Sequence, residues 1–308
     1  MRSSTLFLSA ALSFSAGCYY AEFDPDRSGT FVCGSTDECP EGQLCYGGVC
    51  VSDDGPALEI SGPEPFTQIS VDNLEQLSAF TITVRGSGLN LTDGVSVEEG
   101  SGHIRITIDD SDQFGTIVAG NLTQGFNSTP IDISGLPVGP HRIRARAFYG
   151  DGTPYSNPSA IADAIFFVDD GSPQIAIVEP RPGHQQRISS PMPIAIAAIN
   201  WTWNSANSPL AENEGHTHVY SLPNYPQCLQ VDPTSSEYCN NFYLQSFSGQ
   251  GDATNPILLR GEVATDNLMP LGGGTHPFQA GLQTNEHDPF PMASANEFDQ
   301  VMFQLLED

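Results

Sequence analysis

The side chains best suited to chemistry in this sequence are its histidines and cysteines, seven of each. In the segment E-G-H-T-H-V-Y, His216 and His218 are two residues apart. Residues i and i+2 of a strand share one face, so two imidazoles at this spacing are close enough to bind a single metal ion. His276, in L-G-G-G-T-H, begins a later predicted strand and His287 follows it, with Glu286 and Asp288 flanking His287 as acceptors for its second ring nitrogen. If the four rings converge at one end of a sheet, they form a donor set suited to zinc or copper. A structural reading competes with this one. His103 and His141 occupy the matching places earlier in the chain, where Arg105 stands for His218 and Gly152 for His287. No four-ligand site can exist there, and a repeated glycine-histidine step is more simply a ring hydrogen-bonded to a neighbouring loop.

The cysteines suggest covalent staples. Cys33, Cys39, Cys45 and Cys50 lie in a short Gly- and Pro-punctuated segment that cannot bury a core, which predicts two disulfides among them with all three pairings open. Zinc prefers short paired spacings of the C-x2-C kind, and these gaps are longer. Cys228 and Cys239 predict a third disulfide, closing a loop. Cys18 is then the odd thiol.

Other chemistry is largely excluded. All ten basic residues are arginine, which removes the Walker A loop, the pyridoxal Schiff base and the Ser-Lys dyad. No G-x-S-x-G or H-E-x-x-H motif is present, and the chain lacks a βαβ rhythm. Among 37 acidic residues a carboxylate pair can always be chosen, so none carries meaning. Asp24, Asp26, Ser28 and Gly29 mimic the start of a calcium loop, but Ser35 stands where its closing carboxylate belongs. A formal charge of -27 excludes nucleic acid as a partner. No enzyme activity and no resident cofactor are expected, with zinc or copper at the second-copy histidines as the alternative.

These residues are positioned by a β-rich chain. Thirty glycines and 24 prolines interrupt it too often for long helices. From Ala57 onward it reads as two copies of one unit. The first holds A-F-T-I-T-V-R-G, S-G-H-I-R-I-T-I, G-P-H-R-I-R-A-R-A-F and A-I-F-F-V; the second holds P-I-A-I-A-A-I-N-W, E-G-H-T-H-V-Y, G-T-H-P-F-Q-A-G-L and V-M-F-Q-L-L, in the same order. The fold class expected is all-β: two tandem immunoglobulin- or fibronectin-like sandwiches, 57–170 and 173–308, behind a disulfide-stapled module at 33–52. The junction falls in the polar turn at Asp169 to Pro173. Trp201 and Trp203 share a strand face, suiting either a sugar platform or the inter-sheet core.

Arg2, the apolar run Leu6 to Phe14 and the small residues Ser15-Ala16-Gly17 read as a signal peptide over 1–17, followed by a linker at 18–32. A small-small-Cys ending resembles the lipobox of bacterial lipoproteins, and the resemblance implies acylation of Cys18. The pattern C-x5-C-P-x-G-x2-C-x-G-x2-C resembles the cysteine-rich modules behind the lipobox of myxobacterial-type surface lipoproteins. The G-H-x-H and G-x-H patterns resemble a bacterial extracytoplasmic domain of unknown function. Together these imply an exported, outer-membrane-anchored protein on the periplasmic or cell-surface side. Its partners would be the membrane, through the lipid, and an unknown protein or glycan ligand held by the sandwiches.

Overall fold

Alternation of apolar and polar residues gives the strands their inner and outer faces, and strand β10 (Gly139–Phe148) shows it without a break. His141, Ile143, Ala145 and Ala147 point inward and are buried, while Arg142, Arg144, Arg146 and Phe148 point outward. The computed structural model describes residues 39–41, 43–46, 49–52, 54–74, 80–91, 100–118, 126–204, 213–221, 245–247, 251–252, 257–284 and 298–307.

A short hairpin comes first, β1 (Gln43–Tyr46) with β2 (Val49–Ser52). Cys45 and Cys50 face each other across it, yet the bond joins Cys50 to Cys39. If two disulfides form here, Cys33 is left for Cys45; Cys33 lies outside the described residues, as do Cys18, Cys228 and Cys239.

The first sandwich contains β3 (Ala57–Gly62), β4 (Gln68–Ser70), β5 (Phe80–Ser87), β6 (Asn90–Leu91), β7 (Ser101–Ile108), β8 (Ser111–Val118), β9 (Phe126–Ile131), β10 and β11 (Ile161–Asp169). The second contains β12 (Gln174–Glu179), β13 (Gln185–Arg187), β14 (Met192–Ile199), β15 (Thr202–Trp203), β16 (Glu214–Tyr220), β17 (Gln245–Phe247), β18 (Gly251–Asp252), β19 (Ile257–Val263), β20 (Gly274–Thr284) and β21 (Phe298–Leu306). In each, a three-stranded sheet faces a larger one. The small sheets run β3-β5-β9 and β12-β14-β19. The large sheets run β4-β11-β10-β7-β6 with β8 beside β7, and β13-β21-β20-β16-β15-β18 with β17 beside β16.

The duplication read in the sequence is therefore a duplication of topology. Each copy opens with a strand that is bulged near its end, passes a cis X-Pro bond (Gly62-Pro63, Glu179-Pro180), and crosses to the other sheet to pair in parallel with the last strand. The chain is an all-β pair of immunoglobulin- and fibronectin-like sandwiches. Each core lies between its two sheets: Ile82, Val84, Ile104, Ile106, Ile143 and Phe166 in the first, Ile177, Ile196, Trp201, Trp203, Phe278 and Phe303 in the second. Both tryptophans are 1 % exposed, so they serve the core and not a sugar platform.

A third apolar cluster lies between the copies. Ile165 and Phe167, on the outer face of β11, pack with Ala176, Ala197 and Ile199 from the outer face of the second small sheet. This explains why A-I-F-F-V and I-A-I-A-A-I do not alternate, since a strand buried on both faces is apolar throughout. The turn between the copies is tied down as well. Asn200 donates to Asp169 Oδ1 at 2.7 Å and to the Ser172 carbonyl at 2.9 Å, and Gln174 donates to the Val168 carbonyl.

Candidate functional site

His141 and His276 open the equivalent strands β10 and β20, each on the core-facing side. His141 lies opposite Phe166 and its ring packs there at 5.4 Å; His276 lies opposite Phe303, at 6.0 Å. Nε2 of each meets a carbonyl four residues upstream, Pro137 at 2.8 Å and Gly272 at 3.0 Å. In both copies the glycine two residues before the histidine, Gly139 or Gly274, has a positive φ that lets the chain turn into the strand. The arrangement is the histidine counterpart of the tyrosine corner of immunoglobulin domains, where a ring at the start of strand F bonds back to the incoming loop. Nδ1 of His141 also meets Asp109 Oδ2 at 2.6 Å, so both of its nitrogens are engaged. These two histidines hold loops.

His216 and His218 differ. Val219 points into the second core, so His216, His218 and Tyr220 project from the opposite face of β16. All three are buried, and the two imidazoles lie 4.7 Å apart, edge to face. His218 Nδ1 and the Tyr220 hydroxyl are hydrogen-bonded at 3.0 Å. Gln279 and Gln283 stand beside them on β20, opposite Tyr220 and His216, and are buried too.

The fold brings His216 to His218 and keeps His276 away from both. Phe278, Ala280 and Leu282 of β20 are core residues, so His276, with the same parity, lies on the other side of the sheet from His216 and His218. His216 pairs with Gln283, seven residues along β20 from His276, which places the two about 24 Å apart along the strand. His287 lies outside the described residues. Among the described residues no group of three or more His, Cys, Asp or Glu side chains is placed to hold a metal ion.

The junction between the copies holds a cavity of about 330 Å³, bordered by Asp109, His141 and Arg142 from the first sandwich and Pro182, Asp299 and Gln300 from the second. Its buried charges hold the joint together. Arg142 Nη2 donates to the Ile177 carbonyl, the Ile177 N–H donates to Asp299 Oδ2 at 2.6 Å, and the Gln300 N–H donates to Asp299 Oδ1 at 2.7 Å. Burial pushes the Asp299 carboxyl above the usual carboxylate range, against the opposing pull of the Ile177 N–H and of Arg142. Burial likewise pulls the Arg142 guanidinium down, opposed by Asp163 and Asp299. Beside it, Arg144 Nε donates to Asp163 Oδ1 at 2.9 Å, and Arg181 from the second sandwich approaches the other Asp163 oxygen at 3.8 Å. None of these residues stood out in the sequence. The signal available was R-I-R-A-R, three arginines on one strand face in a chain with only ten.

No protein-family model matches the chain, and no curated protein matches it. Among solved structures it is similar to the fibronectin(III)-like modules of CbhA from Clostridium thermocellum, at 11% identity and TM-score 0.22, over 81% of this chain and 94% of that one. It is also similar to a bacterial ice-binding adhesin involved in host cell surface retention, at 11% identity and TM-score 0.23, over 82% and 64%. A tetra-tandem repeat from the extending region of a large adhesion protein matches at 13% identity and TM-score 0.24, over 82% and 49%. The chain spans about half to two thirds of the two adhesin structures. The fold class stands on the strand pairing itself. Among the described residues no helix is long and apolar enough to cross a membrane.

Proposed function

We propose that this chain is a non-catalytic extracytoplasmic protein, anchored by a lipid on Cys18, whose tandem sandwiches bind another molecule. The observation that supports this most is the joint. An apolar cluster and a bonded arginine-backbone-aspartate contact hold the two copies together, which suits a scaffold that presents its surfaces in fixed register. Of the four candidate metal-binding histidines, His276 has a ring nitrogen committed to a loop carbonyl, as its counterpart His141 has in the first copy. Sandwiches host unrelated functions, so the binding role rests on these surfaces and not on the fold. Mass spectrometry of the membrane fraction tests the anchor: an acylated Cys18 at the mature N-terminus is expected, and a soluble chain with an unmodified Cys18 overturns it.

The second reading is binding of zinc or copper at His216 and His218, favoured by rings 4.7 Å apart. Two imidazoles give half of a tetrahedral set, so further donors have to come from outside the described residues, His287 being the candidate. Zinc titration of the wild type, His218→Ala and His287→Ala tests it. Binding lost in both variants supports the reading, and binding unaffected by either ends it.

A further inference from the structure

The two copies differ most on the outer faces of their large sheets. In the second copy that face carries His216, His218, Gly281 and Gln283, and its side chains are buried. The matching positions in the first copy are His103, Arg105, Arg146 and Phe148, all partly exposed. Duplication has left one face covered and neutral and the other open and cationic. Four of the ten basic residues of a chain with charge -27 lie on this open face: Arg105, Arg142, Arg144 and Arg146.

Two of those four are accounted for. Arg142 is locked into the joint, and Arg144 is paired with Asp110 and Asp163. Arg105 and Arg146 have no carboxylate within ion-pair distance among the described residues. They stand directly opposite each other on β7 and β10, and like charges directly opposite destabilise a sheet. Both guanidinium carbons lie within 6 Å of the Phe148 ring, Arg105 at 5.0 Å and Arg146 at 5.7 Å, and His103 stacks on the same ring at 5.5 Å. The Nε of Arg146 is buried without an acceptor.

We propose that Arg105 and Arg146 form a binding site for a phosphomonoester dianion on a small soluble molecule. Two forked guanidiniums supply paired N–H donors in the geometry that phosphate oxygens accept, and two positive charges match two negative ones. The Phe148 ring lies within cation–π distance of both guanidiniums and brings them to one place on the sheet. Gly102 fixes the strand beside them, because its Cα packs against the Phe148 carbonyl where a side chain has no room. The imidazole of His103 is held below its ordinary pKa by partial burial and by Arg105, and stands by as a neutral donor. The site deepens the binding role proposed above. The two ideas fail separately, since the anchor is read by mass spectrometry at Cys18 and this site by titration.

Isothermal titration of the full chain at low salt, with glucose 6-phosphate as the probe, tests the site. The expected result is saturable binding that weakens about tenfold or more in Arg105→Gln and again in Arg146→Gln, each removing charge-assisted hydrogen bonds. It should fall as the pH drops through roughly 6, where the phosphomonoester takes up a proton and loses one charge. Glucose 6-sulfate, a monoanion of similar shape, should bind more weakly than the phosphate. Thermal unfolding serves as the folding control, because removing one of two opposed cations should leave stability equal or raised. No binding by the wild type overturns the proposal, and so does binding unchanged in both variants or equal for sulfate and phosphate. Capture by vesicles containing phosphatidate with no response to glucose 6-phosphate overturns it in favour of a membrane surface.

Discussion

Arg142 and Asp299, one from each copy of the repeat, hold opposite ends of the same residue: the guanidinium takes the Ile177 carbonyl and the carboxylate takes the Ile177 N–H. Ile177 sits at the bulge of β12, where the register with β14 shifts and the backbone has groups to spare. A hydrophobic contact alone leaves two sandwiches free to slide; the Arg142 bond to Ile177 crosses between the copies and sets the register, and Asp299 holds Ile177 from within the second copy.

Removing Arg142 should therefore loosen the joint before it unfolds either copy. Arg142→Ala leaves a buried carbonyl unpaired and Asp299 without its nearby cation, at a cost of about 2 to 4 kcal/mol. Chemical denaturation should show the midpoint lowered, and small-angle scattering should show a broader distribution of distances than in the wild type. An unchanged midpoint and an unchanged scattering curve would contradict the clamp.

Asp299 adds a pH signature. Its folded pKa is raised above the unfolded value, so between the two the native state holds more protons than the unfolded chain. Stability from this group is therefore present at low pH and lost as the pH rises through the raised pKa. In Asp299→Asn that dependence should disappear. The difference in unfolding free energy between the two proteins, followed upward from the ordinary carboxylate range, should shift in favour of the variant as the pH rises. A difference that stays flat with pH means that Asp299 does not titrate in this way.

How far this could be read from the sequence depends on which period was consulted. Alternation in F-T-I-T-V-R and H-R-I-R-A-R-A-F gave strands, faces and a duplicated order of elements. The same alternation would have separated the histidines: His276 shares parity with Phe278, Ala280 and Leu282, whereas His216 and His218 are out of step with Val219. Spacing suggested convergence, and parity forbids it. The joint was harder to see. Two-sided burial appears only as missing alternation in A-I-F-F-V and I-A-I-A-A-I, which reads as an ordinary core strand until a second domain covers it. The Cys39–Cys50 bond follows from chain path and not from hairpin register, so no spacing rule selects it.

The histidine corners carry a prediction about metal. Because His276 Nε2 is bonded to the Gly272 carbonyl and its ring lies across the sheet from His218, His276→Ala should lower stability by about 1 to 3 kcal/mol through lost packing and an unpaired carbonyl. It should leave zinc affinity where it was. Thermal unfolding with and without zinc measures both quantities in one experiment. A variant that keeps its stability but loses zinc binding would return His276 to the ligand set.

The disulfide pairing is directly measurable. Proteolysis of the unreduced chain should release a peptide pair linked through Cys39 and Cys50, and a second pair linked through Cys33 and Cys45 if the module carries two bonds. The separation of 11 residues closes a short loop, for which chain entropy gives about 3 kcal/mol. A Cys45–Cys50 peptide would show the hairpin bonded across its own strands instead.

The last prediction concerns two glycines that the repeat places at one structural position. Gly102 precedes His103 on β7 and Gly215 precedes His216 on β16, each at the start of its strand and facing the sister strand that carries the corner histidine. A Cβ on Gly102 would lie 1.8 Å from the Phe148 carbonyl oxygen, and one on Gly215 would lie 1.9 Å from the Gln283 carbonyl oxygen. Backbone cannot swing aside as a side chain can, so the strands must separate and lose ladder bonds. Only at Gly102 does a positive φ add conformational strain; at Gly215 the cost is steric alone. Gly102→Ala and Gly215→Ala should each destabilise by more than about 3 kcal/mol, well above the usual effect of a surface Gly→Ala change. Gly152→Ala, at a turn glycine with open space around it, supplies the control and should cost only the strain of its positive φ. Soluble expression and unfolding midpoints of the three variants decide the matter. Equal, small losses in all three would mean that the glycine of the G-H step is there for its flexibility and not for the close approach of two strands.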